Sequence, residues 1–554
     1  MKKHLVLILI IVVAGMLRLY QITNNPVSLF GDEIDVGYHA WSLWTTGKDY
    51  MGNFFPSYIR SLSEYRAPLL MYFTAPFVGL LGPSIFSVRL PVALLGTFSI
   101  YLFYLVNKAL FKSQKVALFG SLLLALTPWH IHYSRASFEV TLLLCLLLLG
   151  IHFYLKDKLY WSILFFVLTL FTYSTAIITT PLTMLALFFL LPGKKQTNTP
   201  LSVSVYLLSG ILLFISLKNI FFGNASDRFQ SLNVLNSFQV AEQVILSRNE
   251  NWIKNKNMDK IFVNKYTTTA EIITRNYLKA FSPDFLFGRG DPYFRHSSGK
   301  SGEFPFFVFP LFILGLFWAA KNISQKQIQF LLFLLLISPI PSSLTLDGAN
   351  HATRLFVLVL GTTLVSSLSI HFLPEKGLGK KLIITFFAFG LFLNLSFYLY
   401  NYYAHYKYQS WRYWHYGYNK IMPTLAKLAP DYQKVFINNT YQPALLPFVF
   451  FTKTNPTNFH HDFLTDNPNS FTENGFTGFK FGNKYFFGTV SKMEDLSTLL
   501  APDTLYLAVQ GKEVPGDWNW EKDPPAWAKV LSTVYDPQGF PLFYLVTGKN
   551  AQAN

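Results

Sequence analysis

Long apolar runs dominate this chain of 554 residues and constrain its fold more than any other feature. A helix that crosses the hydrocarbon core of a membrane needs about 20 mostly apolar residues. Only 14% of the residues are charged, against about 25% in an ordinary soluble domain. The sequence therefore predicts a polytopic α-helical membrane protein with about eleven spans. The candidate runs are residues 4–20, 84–107, 116–131, 138–155, 159–174, 175–192, 201–217, 304–320, 327–342, 351–372 and 382–401.

The short connections between these runs carry most of the positive charge, and this charge sets the predicted orientation. The chain has 46 Lys and Arg against 29 Asp and Glu, a formal net charge of +17. Lysines collect in alternate short gaps, and short basic loops face the cytoplasm. We therefore expect a multi-pass protein of the cell (plasma) membrane with a cytoplasmic N-terminus. The extracytoplasmic segments are predicted to be residues 21–83, 218–303 and 402–554. If the first run is instead a cleaved signal peptide, the residues after it still lie outside.

Composition also bears on partners and cofactors. The positive charge is largely explained by topology, and no basic region interleaved with stacking aromatics follows a known nucleic-acid module, so no nucleic-acid partner is expected. The single cysteine, Cys145, rules out an intrachain disulfide, a Cys-type zinc site and an iron–sulfur cluster.

Residues 402–554 differ from the rest because Pro, Asn and Gly interrupt them and no long apolar run occurs. We predict a small extracytoplasmic α/β domain here and a transmembrane catalytic domain over residues 1–401. The tail's predicted strands are KVFINN, KYFFGTV and TLYLAVQ, its predicted helices are ALLPFVFF and KMEDLSTLL, and VLSTVYDPQGFPLFYLVTG is predicted to form a hairpin.

Ionisable residues near a membrane are costly and indicate function. In the first outer loop, Asp32 and Glu33 open a segment, 32–44, whose apolar spacing predicts an amphipathic helix lying in the interface. A helix N-terminus favours negative charge there. Glu64 and Arg66 follow just before the chain returns to lipid.

Similar residues recur at the other predicted outer helix ends. Two histidines at 130 and 132 are compatible with a metal site, but this spacing is more typical of interfacial histidines. A lone Arg at a helix end usually extends its charged group to the lipid–water interface. Here basic residues occur at four helix ends on the same predicted side as a carboxylate cluster, and this favours a functional site. The residues concerned are Arg89, His130, His132, Arg135, Glu139, Asp284, Asp291, Arg295, His296, Asp347, His351 and Arg354.

Transfer of a sugar from a lipid phosphate to a hydroxyl acceptor would need this combination of groups. A carboxylate takes the proton of the acceptor, and arginine neutralises the departing phosphate through its bidentate fork. A transporter would place its charges near the bilayer midplane, whereas here they are predicted at the outer ends.

The ordered motifs resemble those of the GT-C glycosyltransferases that use polyprenyl-phosphate sugars. These include the protein O-mannosyltransferases, the aminoarabinose transferases and the RgtA/B/C/D-like proteins. The motifs are GDEIDVGYHAWSLWTTGKD with Asp32 and Glu33, SEYRAPLLMY with Glu64, Arg66 and Pro68, RLP from Arg89 to Pro91, TPWHIHYSRASFE, FTYSTAIITTPL, NYLKAFSPDFLFGRGDPYFRHSSG, PSSLTLDGANHATRL and the terminal YDPQGFPLFYLV.

The resemblance implies an inverting hexosyl- or pentosyltransferase that acts on the outer face with a polyprenyl-phosphate sugar donor. Its acceptor would be a lipid, a glycan or a protein. Some members of the group hold a divalent cation at the carboxylates and others do not, so no cofactor is assigned. The resemblance implies catalytic roles for Asp32 as general base, Glu33 and Glu64, and substrate contacts from Arg66, Arg135, Glu139, Arg295, His296, His351 and Arg354.

Two positions depart from the pattern of the group. Ala67 stands where a first proline is common, and Ile177 stands where an arginine is expected, which removes one possible phosphate ligand. Three alternatives remain at this point: an enzyme that transfers a whole oligosaccharide to protein, a transporter or flippase of lipid-linked sugars, and a structural or receptor protein.

Overall fold

The computed structural model describes residues 2–62, 64–191, 233–236, 238–250, 256–374, 376–463 and 470–549, with isolated positions at 207, 210, 211 and 214. These residues fall into two compact units. The first unit comprises Met1–Tyr20, Ser63–Leu69 and Val92–Tyr402, and the second comprises Gln21–Leu62, Leu70–Pro91 and Tyr403–Asn554. Two two-residue strands, β1 (Ile59–Arg60) and β2 (Tyr65–Arg66), lie in the loop between the first apolar helices.

Apart from strand β2, the regular elements in the described part of the first unit are helices. Most of its helices match the apolar runs of the sequence, since a backbone surrounded by lipid must satisfy its hydrogen bonds internally. The helices are Lys2–Leu19, the 92–111 part of Ile85–Phe111, Gln114–Ala125, Pro128–Tyr133, Glu139–Leu155, Leu159–Thr169, Ala176–Leu190, Phe238–Asn249, Lys256–Phe262, Lys265–Lys279, Val308–Lys321, Lys326–Ile337, Ile340–Ser343, Leu358–Ser367 and Leu378–Tyr400, with shorter turns at Val234–Asn236, Asp284–Gly288 and Leu368–Phe372.

Small residues allow these helices to approach closely. Val308–Lys321 packs along Leu358–Ser367, and a Cβ at Gly315 would lie only 2.0 Å from the carbonyl oxygen of Val365. Without a hydrophobic driving force between helices in lipid, such close backbone contact is a main source of association.

Membrane character is confirmed, whereas the number of spans stays a prediction. Among the described residues, three helices are long and apolar enough to cross a membrane: Ile85–Phe111, Lys326–Ser343 and Leu378–Ser410. Eight more apolar helices in this part of the chain are shorter. Large apolar side chains remain exposed along the helix after Leu378, for example Phe386 and Phe392 at 61% and 63%, as expected of a lipid-facing surface.

Two runs differ from the sequence expectation in extent. The helix predicted from residue 351 begins only at Leu358, because residues 351–357 form turns. The loop predicted over residues 21–83 contains a 13-residue apolar helix, Leu69–Leu81, too short to have been counted as a span. The run predicted at 201–217 lies largely outside the described residues.

The second unit is built on a seven-stranded mixed sheet, which confirms the predicted α/β character of the tail. The strands are β3 (Lys434–Asn438), β4 (Ser470–Glu473), β5 (Phe476–Phe481), β6 (Tyr485–Val490), β7 (Thr504–Val509), β8 (Ala528–Tyr535) and β9 (Pro541–Gly548). Their order is β4-β5-β6-β3-β7-β9-β8. Strand β3 is parallel to both neighbours, and the other pairs are antiparallel.

All the strands and helices predicted in the tail are present, and the terminal hairpin β8–β9 pairs as expected. One face of the sheet buries an aromatic core that includes Phe436, Tyr506 and Trp520. The helices of this unit are Gly31–Thr46, the 70–81 part of Leu69–Leu81, the start of Ile85–Phe111, Tyr406–Ser410, Tyr418–Leu428, Leu445–Phe451, Pro456–Asp462 and Met493–Leu499, with shorter turns at Asn401–His405 and Ala429–Asp431.

The helix predicted at 32–44 is confirmed as Gly31–Thr46, but its surroundings differ from the expectation. It packs against Leu445–Phe451 and Pro456–Asp462, and most of its residues from Glu33 to Leu43 are buried. A Cβ at Gly37 would lie 2.7 Å from the ring of Phe450. The helix is therefore part of the core of the second unit rather than a one-sided interfacial helix.

Candidate active site

A buried ion pair fixes the start of the helix Gly31–Thr46 in the second unit. Arg89 Nε and Nη2 donate to the two carboxylate oxygens of Glu33 at 2.9 and 2.8 Å, and both side chains are fully buried. Arg89 also donates to the carbonyl oxygens of Ile22, Pro26 and Ser28. Glu33 is therefore held in place by Arg89. The geometry favours a role in positioning the start of the helix over the predicted catalytic role.

Asp32 lies beside this anchor, in the first turn of the same helix. Its side chain is half-buried, unlike the fully buried Glu33. The unpaired N–H groups of a helix N-terminus stabilise a carboxylate in its ionised form.

A second polar network fills the same unit one turn further along. Asp35 Oδ1 accepts hydrogen bonds from the hydroxyls of Tyr50 at 2.7 Å and Ser61 at 2.9 Å. The imidazole of His39 stacks on the Tyr50 ring at 3.6 Å. The network joins the helix to the loop that follows it, and so stiffens that loop.

In the first unit, Arg66 lies between two carboxylates. Its Nε and Nη2 donate to Glu64 Oε1 at 3.1 and 2.8 Å, and its Nη1 is 3.6 Å from Glu139 Oε1. All three were candidate site residues, and the structure brings them together although Glu139 is 73 positions after Arg66 in the chain. Arg66 leaves little room for a divalent ion at Glu64, because a cation already holds its oxygen.

Arg135 binds the C-terminal end of the helix Lys2–Leu19. Its guanidinium donates to the carbonyl oxygens of Leu17 at 2.9 Å, Arg18 at 3.2 Å and Tyr20 at 2.7 Å. The last carbonyls of a helix lack partners within it, so Arg135 acts as a side-chain cap. Its side chain is fully buried, which favours a structural role over the predicted substrate contact.

The histidines predicted at 130 and 132 point to different partners rather than to one metal. His130 Nδ1 is 2.7 Å from Arg18 Nη2, and its Nε2 is 2.9 Å from the Ser99 hydroxyl. His132 bonds to the Tyr402 hydroxyl at 3.0 Å and to the Arg295 carbonyl at 2.8 Å.

A compact cluster forms where the segment 291–303 meets the segment 347–354. His296 Nδ1 lies 3.1 Å from Asp291 Oδ2, and the rings of His296 and His351 have centroids 4.8 Å apart. Asp291 also accepts from the backbone N–H groups of Ala352 at 2.9 Å and Tyr293 at 2.8 Å.

The surroundings shift the pKa values of this cluster. Burial would raise the pKa of Asp291, but its hydrogen bonds and the neighbouring imidazole outweigh burial and hold it below its usual value. Burial, with the charge of Arg354 second, moves the pKa of His351 well below its usual value. Burial likewise raises the pKa of Glu303, which accepts a hydrogen bond from the backbone N–H of Asp291.

Arg354 closes the cluster on the other side. Its guanidinium pairs with Asp347 and donates to the Thr345 hydroxyl at 2.7 Å. Thr353, one residue before, bonds to the Tyr133 hydroxyl at 2.8 Å.

Aromatic rings link these groups within the first unit. Phe138, which precedes Glu139, stacks on Tyr133 at 4.3 Å and lies 6.3 Å from the His296 ring. The candidates Arg66, Glu139, His296, His351 and Arg354 therefore belong to one continuous region, built from connections between apolar helices. The sequence did not single out Glu303, Tyr133 and Tyr402, because a lone buried carboxyl or phenol carries no spacing signal.

Comparison with known families finds a model that matches part of the chain. The family model of the dolichyl-phosphate-mannose-protein mannosyltransferases matches residues 65–221, the segment that contains Arg66, Arg135 and Glu139. The resemblance to GT-C glycosyltransferases is thereby confirmed. No curated protein sequence matches the chain significantly.

Solved structures that match the chain include ArnT and an oligosaccharyltransferase. ArnT from Cupriavidus metallidurans, bound to undecaprenyl phosphate, matches at 10% identity and a TM-score of 0.47, over 98% of this chain and 97% of that one. The oligosaccharyltransferase of Archaeoglobus fulgidus, tethered to an acceptor peptide, matches at 12% identity and a TM-score of 0.43. That match covers 81% of this chain and only 63% of the oligosaccharyltransferase.

Proposed function

We propose that the protein is an integral-membrane glycosyltransferase that moves a sugar from a polyprenyl-phosphate donor to an acceptor at the outer membrane face. The observation that carries the proposal is the region of the first unit where Arg66, Glu139, His296, His351 and Arg354 converge from separate helix connections. The family match supports it, because the matched family is one that uses a lipid-phosphate sugar.

The chemistry begins with the acceptor. Asp32 takes the proton from the acceptor hydroxyl as the oxygen attacks the anomeric carbon of the sugar. The bond between that carbon and the phosphate oxygen breaks, and attack from the opposite face inverts the configuration. General-base catalysis of this kind contributes about 10²- to 10⁴-fold. Asp32 lies in the first turn of a helix, where the helix dipole favours negative charge.

The leaving group is a lipid phosphate that gains negative charge as the bond breaks. Arginine suits this charge because its fork presents two parallel donors. In this proposal Arg66, Arg295 and Arg354 supply the positive charge, and Glu64, Glu139 and Asp347 hold two of these guanidinium groups in place. The acceptor is a lipid, a glycan or a protein.

The test uses purified full-length protein in lipid nanodiscs with a radiolabelled polyprenyl-phosphate hexose and membrane extract as the acceptor source. We expect wild-type protein to release polyprenyl phosphate and to form a labelled glycosidic product. Asp32→Asn should lose product formation by at least about 100-fold, with an unchanged melting temperature. Asp523→Asn is the matched control, since Asp523 is an exposed carboxylate of the same unit.

Two results would contradict the proposal in different ways. Movement of the labelled lipid across a vesicle bilayer without any new glycosidic bond would identify a transporter instead. Full activity of Asp32→Asn would still support a glycosyltransferase, but it would show that Asp32 is not the general base. Mass spectrometry of cell-surface glycans and proteins after gene deletion then identifies the acceptor.

A further inference from the structure

Three potential metal ligands meet in the first unit. One donor atom each of Asp291, His296 and His351 lies within 4.8 Å of the other two. The aspartate and one histidine come from one loop, and the second histidine comes from a loop 55 residues later. The pairing is therefore a product of the fold and not of local sequence.

These distances are close to those of a bound ion. Zinc binds imidazole nitrogen and carboxylate oxygen at about 2.0–2.2 Å in tetrahedral geometry, which places neighbouring donor atoms roughly 3.4 Å apart. Side-chain rotation of about an ångström closes the difference. Two imidazoles and one carboxylate are a ligand set typical of zinc sites that keep a fourth position for water or substrate.

One nitrogen in the cluster has an unmet bonding requirement. His351 Nδ1 is buried and has no hydrogen-bond partner among the residues that the structure describes. A buried polar atom without a partner destabilises the folded state. A metal ion at the centre of the three side chains would satisfy it.

The groups around the cluster resemble the outer shell of a metal site. Asp291 is held by the N–H groups of Ala352 and Tyr293, and Glu303 receives the N–H of Asp291 itself at 2.9 Å. Such partners orient ligands and tune affinity. The positive charge nearby, on Arg354, is paired with Asp347.

We propose that Asp291, His296 and His351 bind one divalent ion of the zinc type. For His296 Nδ1 to become a ligand, the proton between it and Asp291 leaves that nitrogen, to solvent from an imidazolium or to Nε2 of the same ring from a neutral imidazole. Glu64 is not one of these ligands, because it pairs with Arg66. The site does not depend on the proposed sugar transfer, because metal binding is measured without a donor or an acceptor.

The experiment measures Zn²⁺ bound to full-length protein that was purified in detergent with a tag free of histidine. After removal of metal with a chelator, Zn²⁺ is titrated back against a fluorescent competitor, and bound metal is counted by mass spectrometry. We expect about one ion per chain. His296→Gln and His351→Gln should each weaken binding by at least about tenfold, since even outer-shell losses cost 10- to 100-fold.

His371→Gln is the matched control, because His371 lies in the same unit, stacked on Trp318 and away from the cluster. It should bind Zn²⁺ as wild-type protein does. Equal binding by all three variants, a loss in the control as large as in the other two, or no ion in wild-type protein would overturn the proposal.

X-ray absorption of the Zn²⁺-loaded wild-type protein decides the matter if a variant fails to fold. The spectrum should show two imidazoles and oxygen ligands at about 2.0–2.2 Å. A spectrum with one imidazole or none would overturn the proposal regardless of how the variants behave.

Discussion

Arg89 binds Glu33 through two hydrogen bonds, of 2.9 and 2.8 Å, with both side chains fully withdrawn from solvent. The two residues are 56 positions apart in the chain. Their pairing places the first turn of the helix Gly31–Thr46, and with it Asp32.

Removal of one partner of this pair should destabilise the second unit strongly. Glu33→Gln leaves Arg89 buried without a counter-charge, and breaking a buried pair from one side costs about 3–5 kcal/mol. We expect a clear fall in the melting temperature measured in detergent. Glu494→Gln, at an exposed carboxylate of the same unit, should leave the melting temperature unchanged. A Glu33→Gln protein as stable as wild type, but inactive, would instead support a direct catalytic role for Glu33.

Arg135 should behave as a helix cap rather than as a substrate ligand. Arg135→Lys keeps the charge but offers one ammonium nitrogen in place of Nη1 and Nη2, which together reach the three carbonyl oxygens. Hydrogen bonds from charged groups contribute about 1.5–3 kcal/mol each. We expect loss of thermal stability and faster amide exchange at the end of Lys2–Leu19, followed by mass spectrometry. A variant with a native melting temperature and a raised KM for the lipid donor would argue for phosphate contact.

Gly315 should tolerate no side chain. A Cβ there would lie 2.0 Å from the Val365 carbonyl oxygen, so Gly315→Ala must separate two helices, at a cost of about 1–3 kcal/mol. Gly379→Ala, where a Cβ meets nothing within 4 Å, is the matched control and should be neutral or slightly stabilising. The melting temperatures of the two variants in detergent test this, and similar values for both would contradict it.

Glu513 should make the stability of the sheet depend on pH. Burial raises the pKa of this carboxyl in the folded state, while the unfolded chain keeps a value near 4.3. The folded state thus holds the proton more tightly, so its stabilising effect is complete below the unfolded pKa and is lost as pH rises through the folded one. Amide exchange in strand β7, whose Val509 N–H bonds to Glu513 at 3.0 Å, should accelerate over this range after correction for intrinsic rates.

Glu513→Gln removes the titrating group and should flatten this pH dependence, while Glu494→Gln should keep it. An unchanged slope in Glu513→Gln would show that another group is responsible. Because the slope is the measured quantity, a general loss of stability in the variant does not obscure the result.

The sequence predicted the parts of this fold that depend on local pattern. Apolar runs predicted the positions of most helices, and alternation of side chains in segments such as TLYLAVQ predicted the strands. Both patterns depend only on residues close together in the sequence. The hairpin β4–β5 was missed although Asn474 and Gly475, both with positive φ (44° and 76°), form the dipeptide most typical of a tight turn. The short helix Leu69–Leu81 was missed because its 13 residues are fewer than the length sought for a membrane span.

The sequence predicted which residue types form the candidate site, but it did not predict which of these residues contact each other. Asp32, Glu64 and the later arginines stand out by charge near apolar runs, whereas the contacts Glu33–Arg89 and His296–His351 join segments more than 50 residues apart. Only tertiary structure shows that Arg135 caps a helix. The roles of Asp32 and Glu64 in catalysis stay predictions.

The packing of the helix Gly31–Thr46 against the tail has a consequence for synthesis. Tyr38 donates a hydrogen bond to the carbonyl of Thr454, 416 residues later. At about 5–20 residues per second, roughly 20–80 s pass between the emergence of these two segments from the ribosome. During this interval the first loop is translated but lacks its partner, so an early stop codon anywhere before the tail would leave that loop a target for quality-control proteases.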